Sequence, residues 1–109
     1  MKKRSYLGAV LLALSAVVIA SAQAAGNAEA GEVKAIPCMG CHGIPGYFNV
    51  YPTYHVPRVG GQHAEYIVTA LMAYKTGKRT HPTMVAQANS LSQQDMEDIA
   101  AFFAAATGD

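Results

Sequence analysis

The 109-residue sequence contains only two cysteines, Cys38 and Cys41. Small domains that cannot bury a large core often compensate with several disulfides. A bridge between residues three apart closes too small a loop to constrain the unfolded chain much. The sequence is therefore not that of a disulfide scaffold, and its interior needs another filler.

Long hydrophobic runs are also scarce, and the one that exists lies near the amino terminus. Basic residues at positions 2–4 precede an apolar run of about 14 residues, positions 7–20, whereas a membrane-spanning helix needs roughly 20. The triplet at 22–24, Ala-Gln-Ala, matches the small-x-small pattern of a cleavage site. We therefore predict a cleaved signal peptide over residues 1–24 and one domain over residues 25–109. The alternative is an uncleaved membrane anchor.

Positive charge is sparse once that segment is removed. The remaining chain has five Lys and Arg residues against seven Asp and Glu residues, a formal charge of −2. It has no basic stripe that could release counterions from a nucleic-acid backbone. We expect no binding to DNA or RNA, and no stable membrane insertion after the signal is cleaved.

No stretch of useful length alternates between apolar and polar residues, so no β-strand is predicted. Helical patterns predict three main helices: residues 27–36, ended by Pro37, residues 62–76, and residues 92–106. The intervening residues 43–61 and 80–84 are predicted loops. The expected fold is all-α, with a cofactor-sized gap between the helices.

Two helix ends carry specific terminal signals. Gly77 suits the position just past the second helix, and Ser92 with Asp95 forms a capping box at the start of the third. Apolar residues at helical spacing mark the buried side of that last helix. They are Met96, Ile99, Phe102 and Phe103.

The two cysteines belong to the sequence Cys38-Met39-Gly40-Cys41-His42, which has the spacing of covalent haem attachment. Two thiols on one turn can each add to a vinyl group of the same porphyrin, and the next imidazole can bind the iron. We therefore predict one haem c attached by two thioether bonds at Cys38 and Cys41, with His42 as an iron ligand. Such a group would also fill the small core.

Three other interpretations of a CxxC pair are possible. A thioredoxin-like redox pair is expected in a βαβ context, and no strand is predicted. A closed structural zinc site needs four ligands, so the pair would be half of one. A plain structural disulfide is the third alternative.

The sixth ligand of the iron is less constrained by the sequence. Met39 lies between the two cysteines and cannot reach across the ring, and Met72 and Met96 lie at helical spacings typical of core residues. Met84 follows Pro82 in a predicted loop that can close over the far face of the haem, and it is the best candidate. Three histidines are the alternatives: His55, His63 and His81.

Residues outside the motif add a characteristic combination. They are Gly31, Gly43, the run from Pro57 to Gln62, Gly77-Lys78-Arg79, Met84, Leu91-Ser92 before Asp95, and Phe102-Phe103. In this combination the chain resembles the class I bacterial cytochromes c, especially the cytochrome c-553 type and single domains of the two-haem cytochrome c4 type. The resemblance covers essentially all of the domain.

The resemblance implies a small cytochrome c fold and several residue roles. Met84 would be the distal ligand, and the carbonyl of Pro57 would accept a hydrogen bond from the other ring nitrogen of His42. Gly31 would let the first and last helices cross closely beside the phenylalanines of the last helix. Arg58 would either pair with a haem propionate or be an ordinary surface residue.

The resemblance further implies a periplasmic electron-transfer protein with redox protein partners and no substrate chemistry of its own. Both axial positions would be filled by the protein, which leaves no site for a substrate. A haem c subunit of a larger periplasmic oxidoreductase is the alternative function, and an enzyme or gas sensor with an open distal site is a third. Four aromatic residues form an unusual set in the first loop, where they would pack on the haem or form a docking surface: Tyr47, Phe48, Tyr51 and Tyr54.

Overall fold

The computed structural model describes residues 26–106, so the predicted signal peptide at residues 1–24 lies outside the described residues. The described chain forms five helices and one antiparallel hairpin: α1 (Ala28–Lys34), α2 (Ile36–His42), β1 (Phe48–Val50), β2 (Thr53–His55), α3 (Ala64–Lys75), α4 (Pro82–Asn89) and α5 (Gln93–Ala105). The three predicted main helices are present as α1, α3 and α5, which confirms the all-α class. Between residues 26 and 106, no helix has the length and apolar character that crossing a membrane requires.

Helix α5 is the central element, because both α1 and α3 pack against it. It begins with the predicted capping box, in which the Ser92 hydroxyl accepts from the Asp95 amide at 3.1 Å and the Asp95 carboxylate accepts from the Ser92 amide at 2.9 Å. Met96, Ile99 and Phe103 are buried at 0–4% exposure. The apolar face predicted for this helix is therefore the core, with Phe102 half-buried at its margin.

The crossing of α1 over α5 depends on Gly31, as predicted. A Cβ atom at this position would overlap the carbonyl group of Asp98 and lie 2.9 Å from the Cβ of Phe102. An ion pair also links the two helices at this crossing, because the Lys34 ammonium lies 2.6 Å from the buried Asp98 carboxylate. The amide of Asn27 donates to the same carboxylate at 2.8 Å. One acid thus ties the start and the end of α1 to α5.

The prediction that Pro37 ends the first helix is wrong. Helix α1 ends at Lys34, Ala35 forms a turn, and α2 begins at Ile36 with Pro37 in its first turn. A first-turn residue has no intrahelical partner for its N–H, so proline is well accommodated there. The cysteine motif consequently lies on a helix of its own.

Two predicted loops also contain regular structure. Residues 48–55 form a hairpin in which Phe48 pairs with His55 and Val50 with Thr53, whereas no strand was predicted, because three-residue strands are too short to show alternation. The predicted loop containing Met84 is largely the start of α4, with Pro82 as its first residue. The connector before it turns at Gly77, whose φ of +81° is the left-handed conformation expected after α3.

Candidate functional site

A mainly apolar cavity of about 330 Å³ lies between α2, the hairpin, α3, α4 and α5. This volume is within the usual range for sites that bury a small molecule or cofactor. Its apolar lining includes Ile67 and Leu71 of α3 together with Ile99 and Phe103 of α5. The core of the fold and the wall of the cavity are therefore partly the same residues.

Helix α2 directs the cysteine motif into this cavity. Cys38, Cys41 and His42 all line it, and their positions at i, i+3 and i+4 place them on one face of a helix. Both cysteines are half-buried, and they are not joined to each other by a disulfide. The local geometry is the one that covalent attachment of a single flat group requires.

His42 is oriented by a residue from the loop after the hairpin. Its Nδ1 lies 2.8 Å from the carbonyl oxygen of Pro57. A carbonyl can only accept, so Nδ1 carries the proton and Nε2 keeps its lone pair for a metal. The contact expected from the family resemblance is present in the structure.

Met84 also lines the cavity, from the first turn of α4. Among the methionines within residues 26–106 it alone does so. Met96 is fully buried in the core, Met72 packs against that core, and Met39 lines a separate, smaller cavity of about 270 Å³. The structure brings the predicted distal ligand to the site, and its bond to iron stays a prediction.

The three alternative histidine ligands separate into two groups. His55 and His81 line the cavity, whereas His63 lies immediately before α3 and is not among the lining residues that the structure describes. His81 packs edge-on against Tyr54, with ring centroids 4.7 Å apart. Its buried Nδ1 has no hydrogen-bond partner among the described residues.

Arg58 and Arg79 are the only Lys, Arg, Asp or Glu residues among the described residues that line the cavity. The cavity therefore suits a ligand with an apolar body and anionic substituents. Sequence reasoning proposed Arg58 but missed Arg79. Only the tight turn at Gly77 brings Arg79 back over α3, and a glycine after a helix does not specify where the next side chains lie.

The Cys38 thiol does not have the electrostatics of a reactive, thioredoxin-like cysteine. Burial raises the pKa of the Cys38 thiol, and the neighbouring Cys41 adds to the effect. Reactive cysteines instead have a lowered pKa, because only the thiolate is a nucleophile. The raised pKa of Cys38 therefore argues against a thioredoxin-like redox pair.

The lining residues fit haem c by their chemistry. Two thiols match two vinyl groups, an imidazole nitrogen and a thioether sulfur are accepted axial donors for haem iron, and apolar walls match the porphyrin. The guanidinium of Arg58 matches a carboxylate substituent such as a propionate.

No family model matches the chain. It is 40% identical over 95 residues to cytochrome c4 of Pseudomonas aeruginosa, an alignment covering 87% of this chain and 46% of that protein. It is 39% identical over 82 residues to cytochrome c-554(548) of Halomonas halodenitrificans, covering 72% of this chain and 95% of that protein. A third relative is the cytochrome subunit of sulfide dehydrogenase of Chlorobaculum tepidum, at 34% identity over 73 residues, 67% of this chain and 63% of that protein.

The chain spans about half the length of the cytochrome c4 relatives that it matches, but almost the full length of cytochrome c-554(548). The motif of residues 38–42 lies on the cavity wall in a helical fold, as covalent haem attachment requires. Sequence similarity, fold and site chemistry agree: the chain belongs to the class I c-type cytochromes and carries one covalently attached haem c.

Proposed function

We propose that this chain is a periplasmic electron carrier that holds one electron on a haem c ligated by His42 and Met84 and attached through Cys38 and Cys41. The observation that supports this most directly is the convergence of these four side chains on one cavity. Met84 comes from a different helix, far along the chain from the motif. Such convergence is not implied by the motif itself.

Haem c, when bound, supplies one-electron redox chemistry at its iron. His42 would ligate it through Nε2, because Nδ1 is held by Pro57 at 2.8 Å. That hydrogen bond fixes the ring orientation and increases the basicity of the ligating nitrogen. The thioether of Met84 is a soft donor, and a His/Met pair raises the reduction potential relative to two histidines.

The remaining lining residues set the environment. Buried apolar side chains from α3 and α5 exclude water from the cavity interior, and solvent exposure is one of the factors that set a cofactor's reduction potential. Arg58, next to Pro57, would pair with a propionate of the haem. With His42 and Met84 as ligands, no coordination position remains for a substrate, so we propose a carrier rather than an enzyme.

Export is part of the proposal. Covalent haem attachment and a predicted signal peptide at residues 1–24 are consistent with a periplasmic protein whose partners are other redox proteins. Amino-terminal sequencing of the protein from its native host should begin at Ala25. A protein that retains residues 1–24 would instead favour a membrane-anchored carrier.

The ligand assignment can be tested with a pair of methionine variants. Met84→Leu should abolish the far-red absorption band of methionine-ligated ferric haem, lower the reduction potential, and allow carbon monoxide to bind the reduced protein. Met39→Leu is the matched control, because Met39 is 40% exposed and lines the other cavity. An unchanged spectrum and potential in Met84→Leu would show that another residue, such as His55 or His81, is the ligand.

A second candidate function is a haem c subunit of a larger periplasmic oxidoreductase. The hairpin supports it, because Val50 and Tyr51 are 83% and 96% exposed and exposed apolar patches often mark interaction sites. One relative is named as the cytochrome subunit of sulfide dehydrogenase. Purification from the native source distinguishes the two: a stoichiometric second chain indicates the subunit, and a freely migrating monomer indicates the carrier.

A further inference from the structure

The connector between α3 and α4, residues 76–81, leads directly into the helical turn that carries Met84. The chain reverses at Gly77, and the amide of Arg79 then donates to the carbonyl of Ala73 at 3.0 Å. The connector is thereby folded back along α3. His81 follows, immediately before the helix whose first turn carries Met84.

The side chain of Arg79 is held between two tyrosines of α3. Its Nη2 donates to the hydroxyl of Tyr66 at 3.0 Å, and its guanidinium carbon lies 5.7 Å from the ring centroid of Tyr66 and 5.5 Å from that of Tyr74. Tyr66 and Tyr74 are eight residues apart, which places them about 80° apart around the helix axis and on the same side of α3. We call Arg79, Tyr66 and Tyr74 the arginine clasp.

The clasp is the principal side-chain anchor of this connector. Of the side-chain hydrogen bonds and ion pairs found within residues 26–106, the connector makes two: Thr76 donates to the carbonyl of Met72 in the preceding helical turn at 2.9 Å, and Arg79 donates to Tyr66. The one other aromatic contact of the connector is that of His81 with Tyr54 of the hairpin. Outside the connector, the ammonium of Lys75 at the end of α3 donates to the carbonyl of Leu91, which follows α4.

Arginine suits this anchoring role. A guanidinium stacks on aromatic faces and donates hydrogen bonds in a fixed plane, so one side chain can engage two rings of α3 together. Arg79 is exposed, and the interaction therefore needs no fully buried charge. All three members of the clasp also line the cavity.

We propose that the arginine clasp positions Met84, by holding the connector on α3 so that the thioether stays at the cavity wall and resists displacement by external ligands. Arg79 is a positioning residue in this scheme. The inference rests on the proposed function, in which Met84 is the distal ligand. Loss of the clasp would increase the population in which the Met84 segment has moved away from the cavity.

The test is imidazole binding to the ferric haem protein, followed by loss of the far-red band. Arg79→Leu should retain the band without imidazole and bind imidazole about tenfold more tightly, which corresponds to ~1.4 kcal/mol. Lys78→Leu is the matched control, because it removes the same charge one residue away and its exposed side chain makes no hydrogen bond or ion pair with the described residues. Arg79→Lys keeps the cation without the planar stack and should give an intermediate affinity.

A double-variant cycle separates the clasp from a general loss of stability. Tyr66→Leu and Arg79→Leu should each increase the imidazole affinity, and the double variant should increase it less than the product of the two single effects. Tyr66→Phe removes only the hydroxyl and should give a smaller increase. These tyrosine variants test the proposal even where Arg79→Leu accumulates poorly.

The outcomes that overturn the inference are distinct from those that overturn the ligand assignment. Wild-type imidazole affinity in Arg79→Leu, or an equal increase in Lys78→Leu, refutes the clasp while Met84 remains the ligand. Persistence of the far-red band in Met84→Leu refutes the proposed ligand itself, whatever the behaviour of Arg79.

Discussion

The close approach at Gly31 allows a sharp test of how α1 crosses α5. Replacing Gly31 by alanine adds a Cβ atom that would overlap the Asp98 carbonyl oxygen, lie 2.6 Å from its carbon and 2.9 Å from the Cβ of Phe102. Ordinary contacts begin at 3.4 Å, so the two helices must separate by more than an ångström to relieve the contact with the carbonyl oxygen. Two of the three obstructing atoms belong to the backbone and cannot move aside by a side-chain rotation.

Two effects of opposite sign determine how much Gly31→Ala changes the free energy of unfolding. Alanine favours a helix interior over glycine by about 1 kcal/mol, whereas overpacking a close contact costs about 3 kcal/mol. The free energy of unfolding should therefore fall by about 2 kcal/mol. For a domain of this size that corresponds to a melting temperature lower by about 10 °C.

The assay is thermal unfolding of the haem-loaded protein followed by circular dichroism. Gly40→Ala is the control: it is also a glycine-to-alanine change in a helix, but a Cβ there meets nothing within 4 Å. Its melting temperature should equal or slightly exceed that of the wild type, with haem staining confirming attachment in both variants. A Gly31→Ala protein as stable as the wild type would refute the close crossing.

Two further predictions concern charge and backbone conformation. The Lys34 ammonium lowers the pKa of Asp98 to about 2, below its usual value of about 3.9. The ion pair therefore stabilises the fold above about pH 4. This stabilisation is lost as the pH falls towards 2, because the Asp98 carboxylate is then protonated. Melting temperatures measured from pH 5 to pH 2 should fall in the wild type and vary less in Asp98→Asn; parallel profiles would contradict this. Gly77→Ala must adopt a φ of +81° in otherwise open space, so urea denaturation should show a loss of about 1 kcal/mol. Gly77→Asn should lie closer to the wild type, and equal stability of Gly77→Ala and wild type would be evidence against the left-handed turn.

The sequence predicted helix ends most accurately where the residues that form them are close together in the chain. The capping box of Ser92 and Asp95 and the glycine after α3 are formed by residues a few positions apart, so spacing is sufficient to recognise them. The same holds for the buried face of α5. Pro37 was misinterpreted because proline both ends helices and begins them, and the residue order does not distinguish the two uses.

The hairpin and α4 were missed for a different reason. Strands of three residues carry too little alternation to detect, and α4 is a short helix within a segment predicted as a loop. Such short elements are stabilised mainly by what they pack on, not by their own propensity. Helix α4 packs against α3, and Tyr54 of the hairpin contacts His81 immediately before α4; neither contact is visible as a local sequence pattern.

The sequence by itself determined the attachment chemistry, because two thiols and an imidazole at fixed spacing on one turn are a property of the chain alone. It also narrowed the distal ligand to one methionine and three histidines. Only the tertiary structure decided that Met84, His55 and His81 reach the cavity and His63 does not, and that Arg79 returns to clasp two tyrosines of α3. The reason is physical: these placements depend on contacts between helices and loops distant in sequence, and no local pattern encodes the distance between them.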